Sequence, residues 1–153
     1  MEDAPWYDDV VFPALLRHAR TTYGKAMRAA LDEAGFDDIP GNGLYIIGGL
    51  ALETREVPLR QLVRELGITK QGAGQLVDAL VMRGYLTSAV DEADRRQLIV
   101  TLTERGRAAA KVQAEVRDRI DAQLLARVGE ADVKAARRAL GALIDMRREE
   151  AAA

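Results

Sequence analysis

Near the middle of the chain, Lys70, Gln71 and Gln75 combine hydrogen-bond donors and acceptors at a spacing suited to recognition rather than to bond making. Gln71 and Gln75 lie one helical turn apart, so on a helix they share a face, with Lys70 beside them. A glutamine carboxamide can pair bidentately with the adenine edge in a DNA major groove, and a lysine ammonium can reach guanine or phosphate. A solvated polar face is the plainer account of the same residues. Which account holds depends on the elements that carry them. A second set of aromatic and titratable residues, His18, Tyr23 and Tyr45 with Trp6 and Tyr7, lies in the first third. His18 could donate to an anionic or phenolic ligand, whereas lone histidines beside apolar stripes are more often packed or solvated.

What is missing narrows the chemistry further. The 153 residues include no cysteine and one histidine, which excludes disulfides, thiolate metal sites, thiol nucleophiles and multi-histidine metal centres. No G-x-S-x-G, Walker loop or histidine cluster occurs, so the expectation is a non-enzyme without cofactor or metal, carboxylate-only chemistry being left open. Apolar residues make up 48% and charged residues 30%, a balance that supports a buried core under a solvated surface. No apolar run approaches the roughly 18 residues of a membrane span and the start is acidic, so a cytoplasmic location away from membranes is expected.

The net charge of −2 is unevenly spread. Residues 1–54 carry 4 Lys/Arg against 9 Asp/Glu, residues 55–107 carry 9 against 7, and residues 108–153 carry 9 against 8. Two extra cations in the middle are too few to argue for a nucleic-acid partner. Patterning must carry the argument.

Stepping outward from Lys70, Gln71 and Gln75, the apolar periodicity supplies the elements. Ala73, Leu76, Val77 and Leu80 form a helical face that ends at Gly84, and Leu59, Leu62, Val63 and Leu66 form another closed by Gly67. Two short helices joined by a tight glycine-containing turn predict a helix-turn-helix, with Thr69 at the start of the second helix. The N-terminal end of such a second helix enters the groove, which puts Lys70, Gln71, Gly74 and Gln75 at the front. Leu86-Thr87-Ser88 and residues 97–102 read as strands, and the polar loop 90–96 between them is too long for a tight hairpin turn, which makes it a wing. Arg55, Arg60 and Arg64 are candidate contacts to a phosphate backbone.

Further helices flank this middle part. Phe12, Leu16, Ala19, Tyr23, Ala26 and Ala30 recur at steps of four and three and predict a long helix over residues 9–31, with Pro13 in its first turn or at a kink. A turn-rich segment leads into a short, largely buried helix over 44–52, weakened by Gly48-Gly49. Val112, Val116, Ile120, Leu124 and Val128 predict one C-terminal helix, stopped at Gly129; Val133, Ala136, Leu140, Leu143 and Met146 predict another, with fraying terminal alanines. These stripes exceed what a small winged domain can cover, and homodimerisation through them is expected.

Taken together, the run Leu59-Arg60-Gln61-Leu62-Val63-Arg64-Glu65-Leu66-Gly67-Ile68-Thr69-Lys70-Gln71, then Leu76-Val77-Asp78, Arg83-Gly84-Tyr85-Leu86, Asp94-Arg95-Arg96 and Leu102-Thr103-Glu104-Arg105-Gly106, resembles the MarR family of bacterial transcription regulators. The resemblance covers about residues 58–107 and is most specific in the wing and the segment after it. It implies a homodimer binding a pseudo-palindromic operator in double-stranded DNA, with each second helix in a major groove and each wing over a minor groove. In the family pattern the second arginine of Asp-Arg-Arg, here Arg96, enters the minor groove and Asp94 holds it; a surface ion pair is the plainer account. For many members the family also implies release of DNA when a small lipophilic or aromatic molecule binds. Gly72 and Gly74 depart from the family's usual side-chain-bearing positions, and either let backbone approach DNA closely or soften the helix start.

The expected fold is therefore mainly α, a winged helix-turn-helix with long N- and C-terminal dimerisation helices. The expected division is 1–40 for the N-terminal dimerisation helix, 41–107 for the DNA-binding domain and 108–153 for the C-terminal dimerisation helices. The DNA-binding candidates are Arg60, Thr69, Lys70, Gln71, Gln75, Asp94, Arg95 and Arg96; the effector candidates are His18, Tyr23 and Tyr45. The expected function is a sequence-specific transcription regulator, a repressor released by a small ligand. The alternative, favoured by the overall acidity and the two glycines, is a winged protein-interaction module that does not touch DNA.

Overall fold

The computed structural model describes residues 3–52 and 57–153, leaving out the side chains of Leu62 and Glu65. A single 3-10 turn, Trp6–Asp9, precedes α1 (Phe12–Glu33), so the first helix starts later than its periodicity predicts. Val11 is extended and Pro13 falls in the first helical turn, where its missing N–H has no intrahelical partner to lose. In α2 (Gly43–Ala51) the Gly48-Gly49 pair stays helical because Leu44, Ile46, Ile47 and Leu50 are buried. Burying each such side chain is worth roughly 1.5–3 kcal/mol, more than the ~1 kcal/mol each glycine costs.

The middle of the chain folds as a winged helix-turn-helix. It comprises β1 (Val57–Pro58), α3 (Leu59–Leu66), α4 (Lys70–Met82), β2 (Leu86–Val90) and β3 (Leu98–Leu102). Between α3 and α4, Gly67 takes φ 64°, a left-handed conformation that a side chain would strain. The three strands form an antiparallel sheet in the order β1-β3-β2, with Val57 opposite Val100 and Leu86 opposite Leu102.

Two strand expectations are corrected here. β1 was not foreseen, because two residues ending in proline read as punctuation; proline lacks a donor but is tolerated on an edge strand. β2 continues past Ser88, since Ala89 and Val90 extend the ladder opposite Ile99 and Leu98, and the wing loop therefore starts at Asp91. Along β3, Val100 is buried and Leu102 half-buried, but Leu98 is exposed where the strand outruns the core.

The core joins the end of α1 to the sheet and to α5 (Glu104–Val128) through Leu31, Ile46, Ile47, Leu80, Tyr85, Leu86 and Val100. Thr103 caps α5: its Oγ1 accepts from Gly106 N at 3.0 Å and donates to the Gly84 carbonyl. Gly106 is a steric requirement, because a Cβ there would stand 2.2 Å from the Tyr85 carbonyl oxygen.

By its contacts the chain forms two compact units, Met1–Val116 and Arg117–Ala153. In the second, α6 (Glu130–Ala152) follows Gly129 and runs on through the terminal alanines, which were expected to fray. None of its residues is buried, and Leu140, Leu143, Ile144 and Met146 are all exposed. Among the described residues no helix is long and apolar enough to cross a membrane.

Candidate nucleic-acid interface

At the start of α4 the Thr69 side chain accepts a hydrogen bond from Gly72 N at 3.0 Å, satisfying one of the orphan donors of the first turn. The helix then has two unlike faces. Ala73, Val77 and Leu80 are buried in the core, while Thr69, Lys70, Gln71 and Gln75 are exposed. A Cβ at Gly72 would meet the capping Thr69 Oγ1 at 3.0 Å, so glycine keeps the cap uncrowded. Around Gly74 there is open space. Packing does not require glycine there, and its place beside Gln71 and Gln75 leaves bare backbone on the exposed face.

The wing loop is tied together by its own acids. Asp94 Oδ1 accepts from the backbone N–H and the Nε of Arg96, both at 3.2 Å, and its Oδ2 accepts from Gln97 Nε2 at 3.1 Å. Asp91 Oδ1 accepts from Ala93 N at 3.0 Å, and backbone bonds from Asp91 N to Gln97 O and from Gln97 N to Asp94 O close the loop. The Gln97 amide, then the two Arg96 donors and the nearby Arg60 charge, hold the Asp94 carboxyl below its ordinary value. Asp94 therefore stays ionised and keeps Arg96 oriented, while the Arg96 side chain remains 91% exposed. Arg95 is exposed beside it, and Arg60 and Arg64 are exposed on α3. Arg55 lies outside the described residues.

Behind the wing, Asp38, Tyr85 and Arg105 meet. Tyr85 donates its hydroxyl hydrogen to Asp38 Oδ1, and Arg105 Nη2 donates to Asp38 Oδ1 at 3.0 Å and to the Tyr85 oxygen at 2.9 Å. The guanidinium also lies 4.6 Å from the centroid of the Tyr85 ring. The hydrogen bond from Tyr85, more than the Arg105 charge, lowers the Asp38 pKa; burial first, then Asp38, raises that of Tyr85. The cluster ties the α1–α2 connection to the base of the sheet and the start of α5. In the sequence Tyr85 and Arg105 stand out only within the motif run around the wing, and nothing near Asp38, far away in the chain, marks it as their partner. Gln97 was not foreseen either, although a glutamine right after Asp-Arg-Arg is the readable signal for a loop-closing donor.

The effector candidates are divided by the structure. Tyr45 lines a cleft of about 700 Å³ between α1 and the start of α2, where Arg20 Nε donates to its hydroxyl at 2.9 Å. His18 is exposed and Tyr23 half-buried, and neither is on the wall of that cleft. A smaller cleft of about 440 Å³ separates the turn at Gly41 and Asn42 from the Gly72 and Gln75 face of α4.

Comparison with known proteins agrees with this geometry. Residues 38–97 match the MarR family. Among curated proteins none matches the sequence significantly. The fold is similar to that of MepR from S. aureus in complex with DNA, at 16% identity and TM-score 0.76 over 90% of this chain and 99% of that one. It is also similar to FabT from Streptococcus pneumoniae in complex with DNA, at 17% identity and TM-score 0.73 over 91% and 99% of the two chains. A third likeness is to MarR from Oenococcus oeni PSU-1, at 20% identity and TM-score 0.67 over 88% and 99%. At these identities the likeness is one of fold.

Proposed function

We propose that the chain, whose residues 38–97 match the MarR family, is a homodimeric, sequence-specific DNA-binding repressor. The observation that carries the proposal is the two-faced α4. Its Thr69-capped start exposes Lys70, Gln71 and Gln75 opposite a buried face, next to a wing that holds Arg96 out on Asp94. In this reading Gln71 and Gln75 read base edges in the major groove, Lys70 and Arg60 neutralise phosphates, and Arg95 and Arg96 lie over the minor groove. Arginine suits that groove because its guanidinium is weakly hydrated and the narrow groove concentrates negative potential. The bare backbone at Gly74 lets α4 approach the bases closely. MepR and FabT, whose folds are similar, have been solved in complex with DNA, which supports a DNA partner for this chain.

Residues 1–40 and 108–153 pair the two copies in this proposal, and residues 41–107 bind DNA. Two copies would place their α4 helices about one helical turn of DNA apart, near 34–36 Å, to engage successive major grooves. A small aromatic or lipophilic effector releases DNA by binding preferentially to a dimer whose helices have lost that separation; a ligand with equal affinity for both states would shift nothing. Tyr45 on the cleft wall supports the proposed site, and His18 and Tyr23 could join it only by changing position.

The test is operator binding titrated against salt, on DNA selected from a random pool by the full chain. Wild type should bind more weakly as salt rises, with a slope set by the phosphates it neutralises. Arg96→Ala should lower affinity and flatten that slope while leaving thermal stability nearly unchanged, because an exposed wing tip contributes little to folding. No DNA selection at low salt would favour the protein-interaction reading instead.

A further inference from the structure

We propose that the cleft between α1 and α2 is a binding site for a multiply charged, phosphorylated small molecule carrying a ring. This narrows the effector reading above to a charged ligand with a ring, in place of a lipophilic one, and its coupling to DNA rests on that reading. Residues 1–54 contain only four basic side chains, Arg17, Arg20, Lys25 and Arg28, against nine acidic ones. All four cations line this cleft, and Asp32 is the one acid on its wall. An acidic segment that gathers every one of its cations around one concavity has built a local anion-attracting field against its own net charge.

The helix bears this at a cost. Arg17 and Arg20 lie three residues apart, as do Lys25 and Arg28, and like charges at that spacing repel along a helix face. By helical periodicity Arg17, Lys25 and Arg28 lie away from the Phe12, Leu16, Tyr23 and Ala30 stripe proposed to join the two copies, and Arg20, one turn on from Leu16, lies at its edge. Dimerisation through that stripe leaves the cleft open.

Two of the cations are already positioned. Arg20 donates to the Tyr45 hydroxyl at 2.9 Å with its guanidinium 4.2 Å from the ring centroid, and Arg28 donates to the Ile39 carbonyl at 2.7 Å. Arg17 and Lys25 have no ion-pair partner among the described residues. Fixed and free cations together suit a ligand with several anionic oxygens, which guanidinium forks can chelate. A monocarboxylate would leave most of the charge uncompensated. Tyr45, Leu44 and Ala29 give the cleft an apolar wall against which a ring can lie.

Gly41 and Asn42 belong both to this cleft and to the smaller one whose far wall is Gly72 and Gln75 of α4. A ligand that moves this shared turn changes the support of the base-reading face. Occupancy is thereby coupled to DNA affinity.

The experiment is calorimetric titration of the full chain with pyrophosphate, ADP and benzoate at one ionic strength, for wild type and Arg17→Glu/Lys25→Glu. Pyrophosphate and ADP should bind wild type, benzoate at least about tenfold more weakly, and the double variant should lose at least about tenfold in ADP affinity while melting no lower than wild type, since each new glutamate relieves a repulsion along α1. Should that variant fail to fold, Arg17→Gln/Lys25→Gln removes the charge and is read in its place. No binding of pyrophosphate and ADP to wild type, binding unchanged by loss of the two charges, or benzoate binding as tightly as ADP would each overturn the proposal. Operator binding is measured separately without any added anion. Loss of operator affinity in the double variant under those conditions would make the cleft part of the DNA phosphate track and also overturn it. Failure of wild type to bind any DNA would count against the regulator reading and the coupling, and the calorimetry would still decide the site.

Discussion

The winged part of the molecule and its last helix use the same kinds of residue to opposite effect. In the first, Leu80, Tyr85, Leu86 and Val100 are sealed from solvent, and the Thr103 and Tyr85 hydroxyls beside them are hydrogen-bonded within the chain. In α6 an equally periodic set stays open, with Leu140, Leu143 and Ile144 each 43% exposed. Apolar periodicity therefore states that a face must be covered, and the neighbours decide whether the chain itself covers it. The front of α4 belongs with α6 in this respect: Lys70, Gln71 and Gln75 are exposed groups on a rigid support. In the proposed function the α6 surface meets a second copy and the front of α4 meets DNA.

The sharpest way to break the comparison is to open the sealed part. Gly106→Val would drive a side chain into the Tyr85 carbonyl, a backbone atom that cannot swing away. The expected loss exceeds about 4 kcal/mol, at the severe end for a single substitution. Circular dichroism should show an unfolded or molten chain at room temperature. A cooperative melt near that of wild type would mean that α5 can shift away from the sheet at small cost.

Next in size is the open helix. Leu140→Asp with Leu143→Asp should abolish the dimer, since an unpartnered charge buried at an apolar seam costs roughly 3 kcal/mol. Sedimentation should report a monomer. An unchanged dimer would place the seam elsewhere and leave the α6 stripe without an account.

The sealed and open parts were also unequally legible in the sequence. The helices of the winged part follow from apolar spacing and glycine stops, and α2 was found despite Gly48-Gly49 because its apolar run was long enough to be buried. β1 was not legible, because its strand character exists only opposite Val100 and Ile99, more than forty residues away. The Asp38, Tyr85 and Arg105 cluster failed for the same reason, since nothing local to Asp38 marks a partner 47 residues on. For the candidate site, residue type and helical phase placed Gln71 and Gln75 on one exposed face. Only residue type marks His18, Tyr23 and Tyr45 as an effector set, whereas the cleft that contains Tyr45 is lined by the cations of α1 and by neither His18 nor Tyr23.

At the front of α4 the comparison predicts an effect on recognition without one on folding. Gln71→Ala and Gln75→Ala should each lower discrimination between operator and scrambled DNA by roughly 1–3 kcal/mol, leaving non-specific affinity and melting temperature near wild type. Competition binding at matched salt measures the ratio. Full retention of specificity in both variants would mean that α4 reads DNA shape, or that another face reads the bases.

The smallest expected effect lies within the sealed part and tests whether its polar cluster contributes to folding. Asp38 has a pKa below the ordinary 3.8 in the folded chain, so its contribution is complete above the ordinary carboxylate range and is lost as pH falls through the lowered value. Tyr85 has one above the ordinary 10.0, so its contribution is complete below that value and is lost as pH rises through the raised one. Arg105 stays charged throughout, and its own raised pKa adds nothing in this range. Melting temperature should therefore be flat between roughly pH 5 and 9 and fall on both sides. Tyr85→Phe keeps the ring under the Arg105 guanidinium but removes the hydroxyl, at an expected cost of about 1 kcal/mol near neutral pH. Because the Tyr85 hydrogen bond is the main cause that lowers the Asp38 pKa, the variant should bring the folded value back toward 3.8 and shrink the acid limb. It should also shrink the alkaline limb, since the group that ionises there is gone. A Tyr85→Phe protein with both limbs unchanged would show that the pH dependence arises elsewhere and that the cluster is a solvated contact on a fold already fixed by Gly106 and its apolar neighbours.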